Sequence, residues 1–344
     1  MTDLANLLRT GVPILDVRAE IEFAKGSIPN SQNHPILNDQ ERAKVGHRYR
    51  TEGHESAVAL GHQLVRGTVR ETRVADWVSF LDRHPTSWLT CWRGGQRSSI
   101  AQMWLHEQGC DVPRIPGGYK ALRTLCLHVL EQTAAEPTPW WVVAGKTGTA
   151  KTKIIHQSKH SIDLEGLAHH RGSAFGAYPT PQPAPATFEN MLAVACLQRE
   201  PAPLILEDES RTIGRVAVPL PWLKRMQRSP LLLVEADLDS RIEHIFDEYV
   251  TEALHHENAS ALQSRYTIAL KRIGRRLGGE RLARITGQVE QAFAGAGDHR
   301  IWIRSLLSEY YDPMYEYQLA KKTDRIAMRG GWQEVAEFVS TLTA

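Results

Sequence analysis

The sequence predicts an α/β protein: two strand–glycine loop–helix units in succession, the second continuing into a helical C-terminal region. Three observations predict it. CWRGGQR (91–97) stands between apolar SWLTCW (87–92) and helix-periodic SSIAQMWLHEQG (98–109). GKTGTAKT (145–152) stands between apolar WWVVA and a helical KIIHQS. From about Ser240 the apolar residues keep helical spacing to the end of the chain.

Each element follows from its residues. VPILDVR (12–18), apolar from Val12 to Leu15 and again at Val17, reads as a buried strand. SWLTCW is a second such strand. Ile100, Met103 and Trp104 share one helical face, and Gly109 suits the helix end. EQTAAEPTPW (131–140) is small, polar and proline-containing, which predicts a linker and a first domain over 1–135. A second α/β domain is expected over 138–250, with strands in PLILEDES (203–210) and PLLLVEAD (230–237). A proline-rich loop, YPTPQPAPATF (178–188), precedes the first of these. Residues 251–344 are expected to be helical and basic, either separate or part of the second domain.

Bulk properties exclude several classes. With 344 residues the chain is long for one domain. A formal net charge of +2 makes no case for a polyanionic partner, so local charge must make it. Cys91, Cys110, Cys126 and Cys196 form no CxxC pair and no Cys/His metal spacing, which suits a reducing compartment and no metal centre. The start, MTDLANLLRTGVPILDVRAE, lacks a signal-peptide core, and no apolar run approaches the roughly 20 residues of a membrane span. A cytoplasmic protein without a membrane partner is expected; a monomer is one option, and the sequence does not fix the oligomeric state.

Three constellations carry chemistry. In the first, the glycines between Cys91 and Ser98 let successive amides turn inward as an anion nest, and the following helix adds its positive end. Arg93 and Arg97 add formal charge, so Arg93, Gly94, Gly95, Gln96 and Arg97 form an anion loop and favour a reactive Cys91 thiolate. A buried, inert cysteine beside solvent-facing arginines is the plainer alternative.

In the second, Gly145, Lys146, Thr147, Gly148, Thr149, Ala150, Lys151 and Thr152 match G-x-x-x-x-G-K-[ST] except at Ala150, where glycine belongs. The loop amides would wrap a phosphate or diphosphate, Lys151 would supply a point charge, and Thr152 a hydroxyl for phosphate or Mg²⁺. If position 150 needs a positive φ, alanine costs about 1 kcal/mol or more. Glu207, Asp208 and Glu209 follow an apolar strand as supporting acids.

In the third, Arg265, Lys271, Arg272, Arg275, Arg276, Arg281 and Arg284 crowd one segment, opposed only by Glu280. Such segregation favours a polyanion over a merely solvated helix face. Lys271, Arg272, Arg275 and Arg276 are the candidate contacts there, with His170, Arg171 and Arg211 elsewhere. Aromatics in EYYDPMYEYQL (309–319) either stack bases or, more simply, fill a helix–helix seam.

DVRAEIEFAKGSIPNSQNHPI (16–36) followed by CWRGGQRS resembles a rhodanese domain over about 130 residues. The resemblance implies that Cys91 carries a persulfide or perselenide on loop amides, with Asp16, Arg18 and Glu22 structural. With GKTGTAKT, DLEGLAHHRGSAFG (163–176), PQPAPATFEN (181–190), LEDESRTIG (206–214) and YYDPMYEYQL (310–319), the whole chain resembles the bacterial tRNA 2-selenouridine synthases. Ala150 departs from the family pattern. The resemblance implies a rhodanese-like domain followed by a P-loop NTPase-like α/β domain. It implies replacement of sulfur by selenium at C2 of wobble 2-thiouridine in the tRNAs for Lys, Glu and Gln. Selenophosphate and geranyl diphosphate would be co-substrates, an S-geranyl base the intermediate, with room for Mg²⁺ and no tightly bound cofactor. A sulfurtransferase fused to a small-molecule kinase, and a regulatory module with an inactive P-loop, are the readings without RNA chemistry.

Overall fold

A computed structural model describes residues 3–200 and 202–342. The chain divides into two units: residues up to Thr133 together with Ala184–Gln198, and Ala134–Pro183 together with the rest. Residues 184–198, which the sequence reading leaves inside the second segment, therefore pack with the first.

In the first unit, β1 (Ile14–Asp16) lies between β2 (Ser31–Asn33) and β3 (Trp88–Thr90) in a parallel sheet ordered β2-β1-β3. Cys91 is the first residue past β3, so the strand end places it. Leu15, Val17, Leu89, Phe80 and Trp104 form the core, with Trp77 stacked on Trp104 at 6.1 Å. The Gln96–His106 helix follows the Cys91 loop. Between β2 and β3 run helices Asp39–Glu52, His54–Leu64 and Thr68–Arg83, and the first two bury a single residue, Ala57. The Pro185–Gln198 helix is held through Asn190, whose Nδ2 donates to Ser27 O at 2.8 Å and whose Oδ1 accepts from Arg123 at 2.9 Å.

The second unit centres on β4 (Trp140–Gly145) and β5 (Leu204–Glu207), with a small hairpin, β6 (Thr212–Ile213) and β7 (Val216–Ala217), and then β8 (Leu231–Val234) and β9 (Ile326–Gly330). The sheet is parallel, ordered β5-β4-β8-β9. β5 and β8 are buried throughout, as unbroken LILE and LLLV runs require. β9 interrupts the helical pattern expected to the end of the chain. As an edge strand of alternating exposure, IAMRG gives no continuous apolar signal.

Helices Leu238–Phe246, Ala259–Leu277, Gly279–Phe293 and His299–Leu306 build a further core around Tyr266, Leu270 and Trp302, and helix Asp312–Leu319 follows without a buried residue. Two of these helices continue through π-helical turns, Asp247–Thr251 and Leu307–Tyr311. Such turns are rare and cluster at functional sites. Among the described residues, no helix is long and apolar enough to cross a membrane.

Candidate functional site

The Cys91 loop is folded against a second glycine turn. Tyr119 N donates to Cys91 O at 2.9 Å, and Lys120 N to Trp92 O at 3.0 Å. This approach is possible only without side chains. A Cβ on Gly118, at φ +61°, would lie 2.3 Å from Cys91 O and from Gly94 N. A Cβ on Gly94, at φ +63°, would lie 2.7 Å from Ile115 O. The amides of 92–97 donate to no backbone carbonyl among the described residues, and they precede the Gln96–His106 helix, so an anion fits there.

Cys91 forms the floor of this loop at 3% exposure, its Sγ 3.3 Å from Ser98 Oγ. The two arginines differ. Arg93 is exposed, whereas Arg97 is paired with Glu22 at 2.5 Å. Burial works against the Glu22 carboxylate, but Arg97 and Arg42 outweigh it and hold its pKa below the usual value. Behind them Arg18 is fully buried, bonded to Asp16 and to Gly26 O, with its guanidinium 3.8 Å from the Tyr119 ring centre. Sequence reasoning missed Ser98 and the Gly117–Gly118 pair; the IPGGY stretch was the signal that could have found the latter.

The second loop leaves β4 at Gly145. The amides of Thr147, Gly148, Ala150, Lys151 and Thr152 donate to no backbone carbonyl among the described residues. Lys151 Nζ donates to Gly145 O at 3.0 Å, crossing the mouth of the loop. Ala150 takes a left-handed conformation, φ 59° and ψ 33°, so the strained alternative applies. Trp332 Nε1 donates to its carbonyl at 3.1 Å and fixes that conformation.

The loop is braced from the helical region. Arg241 Nε donates to Thr147 O at 2.9 Å, and its guanidinium makes a two-pronged pair with Asp312, at 2.9 and 2.6 Å. Lys146 reaches Glu316 at 2.6 Å. The YYDPMYEYQL block therefore packs against the phosphate loop. Arg241, Asp312 and Glu316 were not predicted, because their roles arise only from tertiary placement.

Of the three supporting acids, two turn toward the loop. Glu207 is 2% exposed at the end of β5; Glu209, Glu207 and Glu165 bring carboxylate oxygens within 4.8 Å of one another. Burial raises Glu207, against the pull of Lys151 and a hydrogen bond from Thr152. Burial and the neighbouring carboxylates push Glu165 up to about 10 and Glu209 to about 7. Glu207 Oε1 has no hydrogen-bond partner. Asp208 instead holds Lys322, at 2.7 Å. Beside the loop, Thr147 opens onto a small cavity lined by Phe175, Ile245, Tyr249, Trp302 and Leu307, bordered by both π-helical turns.

The basic residues separate into two groups. Arg265 is tied to Glu257, Arg281 and Arg284 to Glu309, Arg300 to Glu243 and Arg304 to Asp239. Lys271, Arg272, Arg275 and Arg276 are exposed and have no ion pair among the described residues. At about 100° per residue they occupy one contiguous strip of the Ala259–Leu277 helix. Arg211 is exposed, while Arg171 is largely buried, paired with Glu248 at 2.9 Å and 4.4 Å from the Tyr178 ring centre. His170 is buried with an unpartnered Nδ1, and burial lowers its pKa.

Comparison with known proteins accounts for both loops together. Residues 1–124 match the rhodanese-like domain, and 138–344 match the tRNA 2-selenouridine synthase AAA domain. Curated proteins named tRNA 2-selenouridine synthase align with nearly the whole chain. That of Marinobacter nauticus is 43% identical over 99% of this chain and 98% of its own. Those of Shewanella loihica and Pseudomonas putida are 42% and 43% identical over 98% of this chain, and over 95% and 96% of their own. With both domain matches in the expected order and relatives aligned end to end, the chain belongs to the tRNA 2-selenouridine synthase family.

Proposed function

We propose that the protein converts wobble 2-thiouridine to 2-selenouridine in the tRNAs for Lys, Glu and Gln, through an S-geranyl intermediate. Geranyl diphosphate and selenophosphate are the co-substrates, and the cytoplasm is where they meet tRNA. The observation that supports this reading is the pair of separate anion loops in one chain. One has a cysteine floor; the other has a lysine beside a carboxylate cluster.

The chemistry divides between them. At the 145–152 loop, the thiocarbonyl sulfur attacks C1 of the geranyl donor. An S–C bond forms, a C–O bond breaks, N3 gives up its proton, and diphosphate leaves among the loop amides and Lys151. Fixed donors aimed at a leaving group's charge are the largest single aid to such a step. Glu165, Glu207 and Glu209, with Thr152 beside them, fit a divalent cation such as Mg²⁺, since Glu207 Oε1 is buried without a protein partner. When bound, the cation supplies charge neutralisation for the diphosphate.

Alkylation makes sulfur a leaving group. At the Cys91 loop, selenium of selenophosphate attacks C2. The C2–Se bond forms, the C2–S bond breaks, and geranylthiol departs with a proton. Water then splits the Se–P bond and phosphate is released. The 92–97 amides hold the donor's oxygens with Arg93 at the rim, while Cys91, at the base of the loop, assists selenophosphate by holding its selenium toward C2 through the thiol S–H.

The test is nucleoside mass spectrometry after incubating 2-thiouridine tRNA with both donors. Lys151→Ala should lose the geranylated base; Cys91→Ala should accumulate it. If Cys91→Ala blocks geranylation and Lys151→Ala does not, the assignment is reversed.

A further inference from the structure

Next to the Cys91 loop lies a cavity of about 160 Å³ that the sequence did not reveal. Its walls are apolar: Ile36, Val45, Tyr49, Val58, Ile100 and Trp104. Its rim is polar and belongs to the anion loop, because Gln96 and Arg97 close it on one side and His54 on the other. His54 Nε2 and Gln96 Oε1 meet at 2.9 Å across that rim. Ile36, Val65 and Trp104, which line the cavity, share one buried cluster with Cys91.

The cover of this cavity is unusual. Helices Asp39–Glu52 and His54–Leu64, joined by Gly53 alone, bury only Ala57 between them. Val45 and Tyr49 lie four apart on the first, and Ala57, Val58 and Gly61 cluster on one side of the second. A helical pair normally owes its position to an apolar face packed on a core. Here both faces look into the cavity, and the pair is pinned at its start by Arg73–Glu41 at 2.8 Å and at its joint by His54–Gln96.

We infer that this cavity holds the hydrocarbon chain on the sulfur of the alkylated base while selenium attacks C2. The inference rests on the reading that the Cys91 loop performs the exchange. An apolar cavity of about 150 Å³ takes a benzene ring and stays dry. This one accepts a hydrocarbon segment of that size, with the rest of a ten-carbon chain in the mouth beneath the helical pair. The rim position is what commits the occupant. A chain entering past Gln96 and Arg97 has its sulfur at the anion loop, and the seated chain adds apolar contact to two helices that otherwise reach the core through little more than Val45, Ala57 and Leu64. The pocket thereby selects the alkylated base over the plain thiocarbonyl and retains the thiol as it leaves.

Gly61 provides the test. A Cβ there meets nothing within 4 Å, so Gly61→Leu adds apolar bulk at the cavity wall and improves helix propensity. The full-length protein is given selenophosphate and anticodon stem-loops bearing S-geranyl- or S-methyl-2-thiouridine. Wild type should prefer the geranyl substrate in kcat/KM. In Gly61→Leu that preference should fall more than tenfold, mainly through the geranyl substrate. An unchanged geranyl-to-methyl ratio, with Cys91→Ala inactive on both, overturns the pocket alone. Full exchange by Cys91→Ala on both substrates overturns the underlying reading, and the pocket with it.

Discussion

Arg241 and Asp312, 71 residues apart, form a two-pronged ion pair at 2.9 and 2.6 Å directly behind the phosphate loop. The Arg241 side chain is 3% exposed and also holds Thr147 O, so the pair connects the helical region to the loop backbone. Asp312→Asn keeps the shape and leaves a buried guanidinium without its counter-charge. Removing one partner of such a pair typically costs about 3–5 kcal/mol. Urea unfolding should show a loss of about 3 kcal/mol, and inorganic diphosphate should bind at least tenfold more weakly. Glu316→Gln is the control: that carboxylate is 61% exposed, and its pair with Lys146 should contribute less than about 1 kcal/mol. Equal effects from the two substitutions would sink the bracing role.

Ala150 leads to the opposite expectation. A left-handed alanine costs roughly 1–2 kcal/mol in the native state. Glycine relieves that cost but loses about 0.4–1 kcal/mol through the greater freedom of the unfolded chain. Ala150→Gly should therefore be neutral to stabilising, by up to about 1 kcal/mol, with the loop still competent to bind diphosphate. A clear loss of stability would show that the Trp332 bond to the 150 carbonyl depends on the alanine rather than merely tolerating it.

The same contrast explains what could be read from the chain. Both glycine loops were legible as backbone features because each is one contiguous segment between a strand and a helix, and glycine spacing reports backbone need directly. Glu207 was legible as the polar end of an apolar strand. The turning away of Asp208 was not, since Lys322 lies 114 residues further on. Gly118 belongs to the Cys91 site only because two loops touch. Arg241, Asp312 and Glu165 carry no local pattern. β9 was missed because an edge strand needs an apolar face on one side only. The cavity under the Asp39–Leu64 helices was invisible because its walls come from helices, loops and the Cys91 segment at once.

The basic tail was half legible, and the half that structure adds decides a prediction. Charge is visible in the sequence, but pairing is not. Arg284 is taken by Glu309 and Arg300 by Glu243, which leaves Lys271, Arg272, Arg275 and Arg276 as the unpaired strip. A cation already held by a carboxylate releases fewer counterions on meeting a phosphate than a free one does. Each phosphate contact contributes about 0.7–0.9 to the slope of log affinity against log salt. Replacing all four strip residues by alanine should weaken tRNA binding and reduce that slope by about 3, measured by fluorescence anisotropy across a salt series. Replacing Arg284, Arg300 and Arg304 by alanine removes nearly as much charge and should change the slope by less than about 1. If both sets lower it equally, net charge rather than the exposed strip governs tRNA binding.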